Sequence, residues 1–194
     1  MTESVAAAAS FRDRLLDGLA RSIRERGYHD TTIADIVRGA HTSRRTFYDE
    51  FPSKEACFLA LLRSTNEHIA QRIAHAVDPA APIRTQVRQA IEAYLDSLAS
   101  RPEITLSWIR ELPALGISAR TLQRDMMESM VGLITRLSTA AGIRPVSRQV
   151  AILLLGGLRE LVAVTVEDGG EVHAVCDVAI EATLALMAPS ISGY

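Results

Sequence analysis

The stretch GAHTSRRTFYDEF, residues 39–51, holds the side chains of this sequence best suited to contact another molecule. Arg44 and Arg45 stand side by side between Ser43 and Thr46. An arginine fork matches guanine O6 and N7 in a bidentate pair, which discriminates against other bases by about 1–3 kcal/mol. Thr46 fits a thymine methyl or a phosphate. Three of the chain's nine Phe, Trp and Tyr rings follow at once, as Phe47, Tyr48 and Phe51. Phe47 and Phe51 are four apart and share one side of a helix, the spacing of a core-facing pair. Tyr48 is turned off that side, so its hydroxyl can reach a backbone phosphate. An arginine pair on a short helix also fits a plain solvated face, so the elements around it must decide.

Those elements read as helices throughout. Phe11, Leu15, Leu16, Leu19, Ala20 and Ile23 recur every three or four residues and make a first amphipathic helix, which Gly27 ends. After a loop at YHDTT, Thr32 and Asp35 form a capping box opening a second helix over 33–40. Ser43 caps a third over 44–50. Pro52 and Ser53 start a fourth, from Lys54 to about Ala76. Further helices are expected over 83–100, 102–111, 118–141, 147–168 and 171–187, so the fold class is all-α with about nine helices. Two short helices joined by a tight connection, with a third across them, are the shape of a helix-turn-helix. The N-terminal end of helix three then faces the major groove. Thr32 and Lys54, at the starts of helices two and four, are placed for phosphate contacts. Lys54, the only lysine, sits where a cation opposes the helix dipole, and a nearby phosphate would compensate.

Composition bounds the alternatives. The chain has 194 residues, 48% of them apolar, enough to bury a core without disulfides or metal. The net charge is −2, but residues 11–63 hold ten basic and eight acidic side chains, so the charge leans toward the head. Cys57 and Cys176 read as buried, inert thiols, without a metal-ligand spacing. No metal or cofactor is expected. No uninterrupted apolar run reaches the roughly 18 residues of a membrane span, and MTESVAAAAS reads as a loose tail rather than a signal peptide. No membrane partner is expected, and the expected compartment is the cytoplasm. An all-α enzyme would need a site, and no Gly-x-Ser-x-Gly or P-loop motif occurs. His68 and His75 lie about 10 Å apart along one helix. A helical protein-interaction module without DNA binding would explain the last two helices but not the ordered head.

Residues 26–62, RGYHDTTIADIVRGAHTSRRTFYDEFPSKEACFLALL, resemble the TetR family of bacterial transcriptional regulators. Gly27-Tyr28 with Thr31-Thr32, Ser43 through Phe51, and Phe51-Pro52-Ser53-Lys54-Glu55 match that family's three anchors. The resemblance implies a homodimer reading a palindromic operator in double-stranded DNA, which would place it at the nucleoid. It also implies a small-molecule pocket among helices four to eight, with ligand binding swinging helix four and releasing DNA. DNA contacts are expected from Thr32, His41, Thr42, Ser43, Arg44, Arg45, Thr46, Tyr48 and Lys54. One departure stands out. The family usually has Gly-Val between helices two and three, and this chain has His41-Thr42. Either the left-handed turn is altered, or His41 itself faces DNA.

The expected organisation is a tail over 1–10, a DNA-binding head over 11–56, and a ligand-binding and dimerisation domain over 57–194. The pocket is expected to use Phe58 and Leu62 on helix four, Tyr94 and Leu98 on helix five, and Trp108 on helix six. Met126, Met127 and Met130 on helix seven and Arg159 on helix eight complete it. Such a lining suits an apolar or lipid-like effector, although each residue also fits a plain core. Helices 147–168 and 171–187 are apolar on more than one stripe and so must bury more than one side. A two-chain four-helix bundle accounts for this, as does a central core helix in a monomer. The dimer reading assigns Val150, Leu154, Gly157, Leu158 and Leu161 on the first, and Val175, Ala179, Ile180, Thr183 and Met187 on the second.

Overall fold

The computed structural model describes residues 10–191, excepting the side chains of Leu106, Ile109, Arg110, Pro113, Ala114, Pro189, Ser190 and Ile191. The expected tail lies outside the described residues except for Ser10. Ser10 caps the first helix in a capping box with Asp13. Nine α-helices and no strand occur among the described residues: α1 Phe11–Asp30, α2 Ile33–Gly39, α3 Arg44–Glu50, α4 Lys54–Ala76, α5 Ile83–Ala99, α6 Pro102–Arg110, α7 Gly116–Ala140, α8 Arg148–Glu167 and α9 Cys176–Ile191. Short 3-10 turns, Leu112–Leu115 and Val172–Val175, precede α7 and α9. The helical start expected at 171 is therefore delayed to Cys176. The α1 helix breaks where glycine was expected to break it, at Gly27 with φ 77°. The chain then makes one more helical turn, Tyr28–Asp30, in place of an open loop.

Contacts divide the chain into two compact units, between Arg63 and Ser64. The first unit therefore takes in more of α4 than the expected boundary at 56 allowed. The physical reason is packing. Cys57, Phe58, Leu61 and Leu62 are buried, and the Phe58 ring stacks on Tyr28 at 4.2 Å. Cys57 is an inert thiol. Burial pushes its pKa up to about 12, against the opposing pull of the Arg12 guanidinium. In the head α1 crosses α2 at backbone contact. A Cβ at Gly18 would lie 2.6 Å from the Ile36 carbonyl oxygen, so only glycine fits there.

The second unit packs α5 and α9 together, with α7 and α8 beside them. Val175, Ala179, Ile180 and Met187 belong to its core. Arg84 pairs with Glu181 between α5 and α9, and His173 Nε2 lies 2.8 Å from an Asp96 oxygen. Helix α8 is long and apolar enough, by length and composition, to cross a membrane. Arg159 and Glu160 sit at its middle, and a central arginine or aspartate there costs roughly 2.5–3.5 kcal/mol on insertion. Its apolar residues have a use in the folded chain: Leu154, Leu155 and Leu158 line a cavity.

Candidate nucleic-acid interface and ligand cavity

The head presents α3 through a division of its faces. Phe47 and Phe51 are fully buried, and their rings meet at 5.9 Å. The Arg12 guanidinium covers the Phe51 ring at 4.5 Å. On the other side Arg44 and Arg45 are exposed, and neither has a hydrogen-bond or ion-pair partner among the described residues. Tyr48 is 56% exposed, its ring edge-on to Phe47. Thr42 and Thr46 are half-buried at the same end. Ser43 does its work within the protein: its Oγ accepts from the Thr46 N–H at 3.1 Å and lies 2.9 Å from Thr46 Oγ1.

His41 takes the place a glycine would have. Its φ is 50°, the only positive φ outside glycine among the described residues. The Ala40 cap is followed by two bonds, His41 N–H to Arg38 O at 3.2 Å and Thr42 N–H to Val37 O at 3.0 Å. These are the paired closures of a Schellman motif with His41 at the left-handed position. Helices α7 and α8 close the same way on Gly142 and Gly169. The turn is therefore kept, and histidine bears its strain while its side chain stays exposed. His41→Gly is expected to raise stability by about 1 kcal/mol, or 2–4 °C in Tm. Thermal melting by circular dichroism checks this. If DNA affinity falls in the same variant, the imidazole contacts DNA.

Two residues expected at phosphates make contacts within the protein. Thr32 spends its polar groups on a capping box: Oγ1 donates to Asp35 Oδ2 at 2.6 Å, and the Thr32 N–H donates to the same oxygen at 3.0 Å. The Asp35 carboxylate thus occupies the anion position at the start of α2. The Thr32 hydrogen bonds hold its pKa below the ordinary carboxylate range, and Arg26 and Arg38 lower it further. Lys54 is committed too. Its Nζ donates to the carbonyls of Tyr28, His29 and Thr31 at 2.9, 3.2 and 2.9 Å. It also sits 4.4 Å from the Tyr28 ring centroid. The carbonyl end of α1 offsets its position at a helix N-terminus.

The second unit holds two adjoining cavities that share Tyr94, Met130 and Leu155 as walls. The larger, about 130 Å³, is almost wholly apolar and lies among α4, α5, α7, α8 and α9. The smaller, about 40 Å³, is lined by Asn66 and Ile69 of α4, Trp108, Gln123, Met126, Met127 and Arg159 besides the shared walls. Six expected pocket residues therefore converge: Tyr94, Trp108, Met126, Met127, Met130 and Arg159. Phe58 and Leu62 belong instead to the head's packing, because the first turns of α4 are spent there, and Leu98 is buried without lining either cavity. Asn66 and the long apolar chamber went unforeseen, because the sequence shows no sign of which α4 face turns inward. Among surface charges, Glu128 is paired with Arg148, whose hydrogen bond holds the carboxylate pKa below its usual range.

The expected dimer residues divide. Leu154, Leu158, Thr183 and Met187 line the large cavity, and Val175, Ala179 and Ile180 are buried in the chain's own core. Val150 packs half-buried against that core. Gly157 and Leu161 remain on the surface, joined by three residues not foreseen for it, Leu153, Val164 and Val178. Among the described residues no group of three or more His, Cys, Asp or Glu side chains is placed to hold a metal.

Residues 15–61 match the bacterial regulatory proteins of the tetR family. Over those residues, about a quarter of its length, the chain is similar to that family. Its match to the HTH-type transcriptional regulator EthR of Mycolicibacterium smegmatis is 34% identical over 84 residues, covering 42% of this chain and 38% of that relative. The chain thus spans well under half the length of the relative it matches. Solved structures extend the likeness of fold. The fatty acid degradation regulator FadR of Bacillus halodurans superposes with a TM-score of 0.74 at 16% identity, over 91% of this chain and 96% of that one. FadR of Bacillus subtilis, in complex with stearoyl-CoA, gives 0.72 at 17% identity, over 88% and 96%. At such identities these neighbours speak for the helical architecture alone.

Proposed function

We propose that the protein is a DNA-binding transcriptional regulator, a homodimer that holds a palindromic operator and releases it when a mainly apolar small molecule fills the second unit. The observation that carries the reading is the outward face of α3. Two unpaired arginines stand at its N-terminal end, and two buried phenylalanines fix its inward face. A short helix with that division, the second of a helix-turn-helix, suits insertion of its N-terminal side chains into a major groove. Two copies would have to place these helices about one DNA turn, ~34–36 Å, apart. The coupling has a physical route, because α4 carries Phe58 and Leu62 in the head and Asn66, Ile69 and Ile73 in the cavity walls. For release, the effector must bind the DNA-incompetent arrangement more tightly than the competent one. Repression, with the regulator at work in the cytoplasm and on the nucleoid, is the mode this scheme favours.

A gel shift with DNA upstream of the protein's own gene, and flanking intergenic DNA, tests the reading. Absence of any shift at low salt overturns it. With an operator in hand, Arg44→Ala and Arg45→Ala are each expected to reduce discrimination between the operator and a single-base variant by about 1–3 kcal/mol. Tyr48→Phe is expected to weaken all sequences alike. Competition gel shifts read both, and equal loss on every sequence from the arginine changes would assign those side chains to phosphate alone.

A further inference from the structure

The small cavity is built around a positive charge with no answering negative one. Arg159 reaches into it half-buried, and no hydrogen bond or ion pair engages its guanidinium among the described residues. No acidic side chain lines the space. Two further donors open into it. Asn66 and Tyr94 are each more than nine-tenths buried, at 7% and 8% exposure, and neither side chain has a hydrogen-bond partner among the described residues. Their polar atoms are not sealed away, since the buried side-chain atoms without a partner among the described residues are Arg14 Nε and Thr65 Oγ1; they stay open to a molecule in the cavity. Two unpaired donors beside an unpaired guanidinium describe a place where an acceptor with negative charge belongs. The Tyr94 phenol stays a donor, since burial pushes its pKa up to about 12 despite the nearby Arg159 charge. On the far side of Tyr94, Met130 and Leu155 the space becomes apolar, with Ile91, Leu133 and Ile134 among its walls.

We propose that the effector is a single-chain carboxylic acid, its carboxylate held by Arg159, Tyr94 and Asn66 and its unbranched apolar tail lying in the large chamber. This rests on the reading of the cavity as the effector site, and it adds the charge and shape of the molecule. An anion on one apolar chain could also come from a coenzyme A thioester, whose charges lie on phosphates far from the carbonyl. The two chamber volumes fit a headgroup of carboxylate size better than a nucleotide.

Trp108, the only tryptophan, lines the small cavity and reports on it directly. The full chain is titrated, without DNA, with decanoate, methyl decanoate, 1-decanol and decanoyl-coenzyme A, following Trp108 emission and heat of binding. Decanoate is expected to bind at least tenfold more tightly than the ester or the alcohol, and more tightly than the thioester. Across octanoate, decanoate and dodecanoate, affinity is expected to rise about fourfold per methylene until the chamber is full. Arg159→Gln is expected to weaken decanoate about 10- to 100-fold and to leave the methyl ester unchanged within twofold. Tyr94→Phe provides a second variant with a smaller loss, about 3- to 10-fold, if Arg159→Gln does not fold. Equal binding of acid and ester, tighter binding of the thioester, or no binding of any acid from octanoate to palmitate overturns the proposal. Because binding is read without DNA, its failure is distinct from failure of the operator reading.

Discussion

Lys54→Met is expected to lower the melting temperature by roughly 5–10 °C while leaving the salt dependence of DNA binding unchanged. The ammonium donates to three carbonyls at the end of α1 and stacks on Tyr28. A hydrogen bond to a charged group is worth about 1.5–3 kcal/mol, and these three share one cation. Methionine keeps most of the stem's packing but removes every donor. A net loss of about 2–3 kcal/mol corresponds to the stated fall for a chain of this size. The second half of the expectation separates this role from a phosphate contact. A cation neutralising one phosphate adds about 0.9 to the slope of log affinity against log salt. Below its melting transition, the variant is expected to keep the wild-type slope. A slope reduced by about one, with an unchanged melting temperature, would return Lys54 to the DNA surface. The contact also explains why the turn Tyr28–Asp30 forms beyond Gly27: its carbonyls have a donor waiting, and Thr31 Oγ1 closes back on the Gly27 carbonyl at 2.7 Å.

Lys54 marks the line between what was legible in the sequence and what was not. Periodicity and caps are local, so α2, α3 and α4 start where Thr32, Ser43 and Pro52-Ser53 say they must. The turn at His41 was legible only as a question, since a histidine in place of glycine could either bear the left-handed strain or alter the turn; its φ of 50° shows that it bears it. Partners distant in sequence were not legible. A lone cation at a helix start signals only that some negative group is near. Whether that group is a phosphate or the carbonyl end of a helix 23–26 residues earlier is decided by tertiary packing. The doubly apolar helices pose the same limit. Spacing in α9 shows that two stripes exist, but not which stripe faces its own core. Ile180 and Ala179 went to the core with Val175, leaving Val178 outside. The pocket was more accessible to sequence reasoning. Methionines, a tryptophan and an arginine set among apolar helices fit a plain core as well as a pocket, but their joint placement pointed to one, whereas Asn66 looked like any polar residue on a long helix.

The surface stripe that remains leads to the second large effect. Leu153, Gly157, Leu161 and Val164 follow one another at spacings of four, four and three along α8, all on the exposed side. Val178 and Leu186 continue the exposed apolar surface on α9. Gly157 has open space where a Cβ would stand, so no neighbour within the chain explains a glycine there. A glycine in mid-helix costs roughly 1 kcal/mol relative to alanine, and close approach of another helix would offset it. An apolar stripe of this extent on a surface marks an association site. A second copy of the chain is the occupant that the proposed two-fold operator would demand. Leu153→Glu combined with Val164→Glu is expected to halve the sedimenting mass to that of one 21.1 kDa chain, without loss of helicity. Both side chains are about half exposed or more, so the monomer's own core is spared. Operator affinity is expected to fall by 100-fold or more, because each head then binds its half-site without the second tethered beside it. Analytical ultracentrifugation and gel shifts on the same preparation read the two effects together. A wild-type chain that sediments as a monomer, or a variant that stays dimeric, would place the self-association surface elsewhere. A monomeric variant with wild-type operator affinity would keep the dimer but break its link to DNA, since the two-fold argument needs both heads bound at once.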